Sequence, residues 1–152
     1  MLKGIDNRLN AEVLHCLRAM GHGDTLVIAD TNFPSDSIAR QTVLGSLLRM
    51  ENLTSAEATE AILSVLPLDT FVDDFAGRMQ VVGAADEIPA VQTEVQARID
   101  AAEGRPRPMV GIERFDFYER AKSAYAVIQT GERRFYGCFI FRKGVIAPGD
   151  AA

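Results

Sequence analysis

The run Thr25-Leu26-Val27-Ile28-Ala29 constrains the fold more than any other segment, because four apolar residues follow one another without a polar break between Asp24 and Asp30. A half-exposed strand alternates apolar with polar. A short uniformly apolar run bounded by charges is the pattern of a strand buried on both faces, which is how parallel strands covered by helices read.

The segments around it carry the complementary period. Val13, Leu14 and Leu17 fall on one side of a helix expected over Ala11–Met20, which Gly21 stops. Thr54-Ser55-Ala56-Glu57 has the form of a capping box, and behind it Ala58, Ala61, Ile62, Val65 and Leu66 make one helical stripe up to Pro67. Pro89 to Ala102 repeats the pattern through Val91, Val95 and Ile99, with Gly104 and Pro106 beyond its end. Further strands are expected at Thr42–Leu48, Phe71–Val72, Met79–Val82, Met109–Ile112, Tyr125–Gln129 and Phe135–Phe141, and Asp116 with Glu119 is expected to cap a short helix. Strands that alternate with helices predict a single-domain α/β fold, a three-layer α/β/α arrangement around a mixed, mostly parallel sheet. The short Thr130-Gly131-Glu132 turn allows the last two strands to pair as a hairpin. Residues 1–147 are expected to form the domain and residues 148–152 a loose tail.

Composition narrows the function. A net charge of -5 and a pI near 5.0 argue against a nucleic-acid surface, and the Arg105/Arg107 and Arg133/Arg134 pairs are too short to change that. No apolar run reaches the ~18 residues of a membrane span, and Met1 to Asp6 lack a signal-peptide core, so a cytoplasmic address is expected. Cys16 and Cys138 form no CxxC pair, and neither phosphate-loop nor GxSxG motifs occur. His22, Asp30 and Cys138 have no metal-ligand spacing. No metal and no cofactor are expected, which leaves proton transfer as the chemistry within reach.

Of two histidines, His15 sits in the first helix and reads as structural, while His22 lies between Gly21 and Gly23 at the head of the apolar strand. Glycine accepts positive φ and has no Cβ, so the turn leaves the imidazole open on both sides, and imidazole exchanges protons near neutral pH. The bland alternative is a helix stop followed by a turn, with His22 simply exposed. Asp30 closes the strand and Arg114 follows the Met109–Ile112 strand, both at carboxyl ends where α/β sheets bind ligands. His22 precedes its strand, so it reaches that crevice only from a sheet edge or a neighbouring subunit. Tyr136-Gly137-Cys138 opens the last strand, where Tyr136 reads either as a half-buried aromatic or as a ligand contact.

Met20-Gly21-His22-Gly23-Asp24, Asn32-Phe33-Pro34, the run Ile112 to Ala121, and Thr130-Gly131-Glu132 through Tyr136-Gly137 together resemble the L-fucose mutarotase family, which is related to the D-ribose pyranases. The likeness runs from about Leu2 to Val145. It implies an α/β fold with a mixed sheet, a ring-like homo-oligomer, typically a decamer, with sites close to subunit contacts, and cofactor-free interconversion of monosaccharide anomers. By position, His22 matches the family's catalytic acid/base, and Asp30, Arg114 and Tyr136-Gly137-Cys138 match its substrate-binding positions. Arg114 and the Phe115 to Arg120 context resemble the fucose branch more than the ribose branch. Cys138 departs from the asparagine usual after Tyr-Gly, and Arg49-Met50-Glu51-Asn52 departs from the usual Arg-Ala-Asp-Gly. D-Ribose pyranase activity and a non-catalytic sugar-binding or transport-accessory role are the competing expectations.

Overall fold

The apolar strand is the third from one edge of a six-stranded sheet in the computed structural model, which describes residues 1–149. Thr25–Ala29 (β1) is buried at every position after Thr25. Ala126–Thr130 (β5) pairs parallel with it, Val27 opposite Val127, and Leu47–Met50 (β2) pairs parallel with β5. On the other side of β1, Phe139–Arg142 (β6) runs antiparallel, followed by Ala76–Met79 (β3) and then Val110–Ile112 (β4) parallel to β3. In the order β2-β5-β1-β6-β3-β4, five strands therefore share one direction and β6 alone is reversed.

Strand alternation divides the core in two. Leu26, Ile28, Ile128 and Phe139 face Ala11–Ala19 (α1), Ser55–Leu63 (α3) and Ala90–Glu103 (α4). Val27, Ala29, Val127 and Ile140 face Ser35–Ala39 (α2) and Arg114–Lys122 (α5). Each fully buried Leu, Ile or Phe contributes about 1.5–3 kcal/mol by leaving water, and covering both faces is what the uniform apolarity of β1 demanded. The capping box is present as read: Thr54 Oγ1 accepts from Glu57 N–H and Glu57 Oε2 accepts from Thr54 N–H.

Several expectations are corrected. β5 and β6 do not form a hairpin, because β6 crosses to the far side of β1. Thr42–Leu48 is not one strand: Thr42 Oγ1 donates to Ala39 O, Gly45 turns at φ +72°, and β2 begins only at Leu47. Phe71–Val72 is not strand, since Asp69 Oδ1 takes the Phe71 N–H two residues on and bends the chain. The strand expected over Met79–Val82 lies earlier, at Ala76–Met79. The cap of α5 is Glu113, whose carboxylate accepts from Phe115 and Asp116 N–H, so the helix starts directly after β4 and Asp116 lies in its first turn. The last strand starts at Phe139, and Tyr136-Gly137-Cys138 precede it in a turn. Pro148 and Gly149 lie outside any helix or strand; the rest of the expected tail lies outside the described residues.

Candidate functional site

Because β6 is reversed, its start lies beside the carboxyl ends of the other strands. Asp30 after β1, Arg114 after β4, and Tyr136 and Cys138 before β6 accordingly line one cavity of about 310 Å³, together with Asn32, Phe33, Met79, Tyr118 and Phe135. This is the crevice position expected of an open α/β sheet.

Asp30 is buried, and three backbone N–H groups hold it. Oδ1 accepts from Asn32 (2.9 Å) and Phe33 (3.1 Å), and Oδ2 accepts from Gly137 (3.1 Å). An ionised carboxylate has about four acceptor positions, so about one is left for an incoming hydroxyl. Gly137 has to be glycine here: an added Cβ would lie 2.7 Å from Glu132 Cγ and 3.3 Å from both Asp30 Cβ and Ser55 Oγ.

Tyr136 has φ +63°, the one non-glycine in the left-handed region among the described residues. That conformation excludes it from a strand and is fixed from outside the turn. Gln92, fully buried on α4, donates to Tyr136 O (3.0 Å) and Met79 O (2.7 Å), and Ser55 Oγ donates to Gly137 O (2.9 Å). The Tyr136 hydroxyl accepts from Val82 N–H (3.2 Å), which leaves its own proton free to donate. Arg134 donates to both oxygens of buried Glu132 and holds that carboxyl below the usual range against the upward pull of burial. Burial pushes the Cys138 thiol well up, so it lines the cavity as a neutral group. Arg114 Nε is buried with no hydrogen-bond partner, and its guanidinium carbon lies 4.5 Å from the centre of the Phe115 ring.

His22 is not in this cavity. It sits at the amino end of β1, and the five residues of that strand, at about 3.3 Å each, separate it from Asp30 by roughly 16 Å. Gly23 takes φ +85°, as the glycine-flanked turn requires. The imidazole is half-exposed, stands edge-on to exposed Phe71 at 5.6 Å, and its Nε2 lies 3.1 Å from Asp69 Oδ2. Asp69 is 1% exposed and also accepts from Arg142 Nε (3.1 Å) and Phe71 N–H (3.0 Å). Burial alone would raise its carboxyl; the Phe71 N–H, His22 and Arg142 outweigh that and hold it low. A carboxylate bonded to one imidazole nitrogen fixes the tautomer and leaves the other nitrogen to exchange protons.

One chain therefore carries two separate features at opposite ends of its sheet: a cavity of mixed polar and apolar lining and a histidine–aspartate pair. Of the residues singled out in the sequence, Asp30, Arg114, Tyr136 and Cys138 line the cavity and His22 does not, while Asp69 and the apolar wall of Phe33, Met79, Tyr118 and Phe135 were not singled out as site residues. Asp69 meets His22 across 47 residues of chain and carries no local signature. The Asp-Thr-Phe turn is the one cue it left.

The chain matches known proteins over nearly its whole length. The model of the RbsD / FucU transport protein family matches residues 3–146. Human fucose mutarotase is 43% identical over 150 residues, covering 96% of this chain and 95% of that protein. The crystal structure of protein Atu2016 is 66% identical with a TM-score of 0.95, covering 97% of each chain. The fucose mutarotase of Streptococcus pneumoniae, solved in complex with L-fucose, is 36% identical with a TM-score of 0.86, covering 96% of this chain and all of that one.

Proposed function

The chain belongs to the RbsD / FucU transport protein family, and on that footing we propose that it is an L-fucose mutarotase, an isomerase that interconverts the α and β anomers of the sugar without a cofactor. The observation that carries the reading is the buried, unpartnered Arg114 Nε on the wall of the cavity that also holds Asp30 and Tyr136. Leaving a buried donor unmade costs about 1–3 kcal/mol, and a sugar oxygen removes that cost.

Mutarotation needs a proton taken from the anomeric hydroxyl and one given to the ring oxygen. The C1–O5 bond then breaks to the open aldehyde, the carbonyl rotates about C1–C2, and the ring recloses on the other face, returning both protons. In this account Arg114 holds sugar oxygens with its fixed fork of donors, and Asp30 and the Gly137 and Cys138 stretch orient the hydroxyls. Tyr136, whose hydroxyl proton is free, serves as the second proton carrier. His22, oriented by Asp69, is the principal acid and base. Acid–base catalysis of this kind contributes about 10²- to 10⁴-fold, sufficient for a reaction already measurable in water.

His22 completes the cavity of a neighbouring subunit. Two exposed aromatic faces support this: Phe71 beside His22 at one end of the sheet, and Phe115 and Phe135 around the cavity at the other. Contact between unlike faces is heterologous and builds a ring when the rotation between subunits closes, and we adopt the ring-based decamer that the family resemblance implies. A cytoplasmic location is part of the same proposal, consistent with two free, buried cysteines.

Saturation-transfer NMR tests the activity. The protein should accelerate anomer exchange of L-fucose, more than that of D-ribose, and His22→Ala and Arg114→Ala should each abolish most of the gain. Equal exchange with and without protein would overturn the enzyme reading, and wild-type exchange by His22→Ala would overturn the assignment of the histidine.

A further inference from the structure

The His22–Asp69 pair has a third member. Asp69 Oδ2 accepts from His22 Nε2 and from Arg142 Nε, both at 3.1 Å, so two donors share one oxygen. Arg142 is bound to Asp69 through its backbone as well, since Asp69 N–H donates to Arg142 O at 3.0 Å. It is the last residue of β6, and its guanidinium also lies against the histidine turn: a Cβ built at Gly23 would come within 3.5 Å of Arg142 Nη2. Gly23 N–H donates to Lys143 O at 2.9 Å, which ties that turn to the same strand end.

We propose that Arg142 is a positioning residue for the reaction, fixing Asp69 for His22 and sharing its charge so that the imidazole releases a proton as readily as it takes one. The proposal rests on the reading of His22 as the acid and base. A buried carboxylate facing a histidine alone stabilises the imidazolium and slows its return to the neutral form. An arginine, always charged and held on the same oxygen, takes up part of that attraction without leaving the carboxylate unpaired. A reversible reaction needs both directions of transfer, so this balance is what a mutarotase requires.

Among the described residues, no side chain other than His22 and Arg142 bonds the Asp69 carboxylate. Asp24 accepts from Gly21 N–H in the same turn, and Lys143 Nζ donates to Leu17 O and Met20 O at the end of α1. Arg107 bonds Glu103 and the backbone oxygen of Asp69, not its carboxylate. Asp74 and Arg120 line the cavity that Arg142 shares on the other side. Among the described residues, Arg142 is the one arginine or lysine bonded to the Asp69 side chain.

The chain has two histidines, so NMR titration of the assembled full-length protein resolves each imidazole, with exposed His15 as internal reference and His15→Gln as the assignment. In Arg142→Met the His22 titration midpoint should move to higher pH by about 0.5–1 unit, the size expected when one like charge is removed beside a half-exposed site. His15 should not move. The acid limb of the exchange rate against pH should follow by the same amount, and Arg142→Lys, which keeps the charge, should recover most of both effects. A His22 midpoint unchanged in folded Arg142→Met, or in Arg142→Gln should the first variant misfold, overturns the proposal and leaves the catalytic reading intact. A midpoint that moves while the acid limb stays in place overturns the catalytic reading instead.

Discussion

Asp69→Asn changes one atom's chemistry while keeping the side chain's size, and its consequence follows from which partner each oxygen serves. The amide oxygen retains the Phe71 N–H, because that donor has no other partner within reach. The NH₂ group then faces His22 Nε2 and Arg142 Nε. Against Arg142 it opposes donor to donor. Against His22 it donates, which forces the imidazole proton onto Nδ1 and removes the nitrogen that would act as base. We expect exchange of L-fucose anomers to fall by about 10²-fold or more, the size of a lost acid–base contribution. Two charge-assisted bonds are lost, nominally about 1.5–3 kcal/mol each, but His22 and Arg142 have side chains 46% and 37% exposed, so solvent replaces much of that. A net loss of about 1–2 kcal/mol should lower Tm by about 3–6 °C. Exchange NMR gives the rate and calorimetry gives Tm. A variant that exchanges L-fucose within threefold of wild type while losing this stability would refute the tautomer reasoning, since Asp69 would then be structural alone.

Other outcomes follow from the cavity and its supports. Gly137→Ala places a methyl 2.7 Å from Glu132 Cγ, which Arg134 holds in place, so overpacking should cost about 1–3 kcal/mol in denaturant unfolding and raise KM for L-fucose by moving Asp30. Glu132 has its carboxyl lowered by Arg134, so its contribution is present above the unfolded value of about 4.3 and is lost as pH falls through the lower folded value. The stability difference between wild type and Glu132→Gln should therefore be larger at pH 7 than at pH 3, and a constant difference would contradict the assignment. Burial pushes the Cys16 thiol up to about 11 and Cys138 well up too, so a disulfide reagent at pH 8 should label neither in the folded protein and both after denaturation.

What was legible in the sequence was whatever local chemistry decides. The capping box at Thr54, the helix stop at Gly104, and the doubly buried β1 depend on neighbours a few residues away, and all three appear as read, while the first helix ends at Ala19 with Met20 as its cap, one residue short of the expected Met20. The placement of Asp30 and Arg114 at carboxyl strand ends followed from the same local reading. What failed depends on distant partners. Tyr136-Gly137-Cys138 has the composition of a strand, but Gln92 and Asp30, 44 and 107 residues away from their partners in this turn, hold it in a left-handed turn instead. The hairpin expectation ignored that β6 could cross β1, which short loops cannot reveal. Asp69 was invisible because a buried carboxylate becomes informative only when its partner is known. The difficulty over His22 was legible in its position before β1, and the structure keeps it at the opposite end of that strand from the cavity.

The composite site is the central claim, and subunit mixing tests it most directly. His22→Ala and Arg114→Ala are each expected to be nearly inactive alone, because each lesion reaches every site. Unfolded together in equal amounts and reassembled, they should regain about a quarter of wild-type L-fucose exchange, since random neighbours give about one cavity in four with both an intact Arg114 wall and an intact His22 from the next subunit. Mixed assemblies that form, as shown by mass, yet regain no activity would contradict the account and return His22 and Arg114 to a site within one chain.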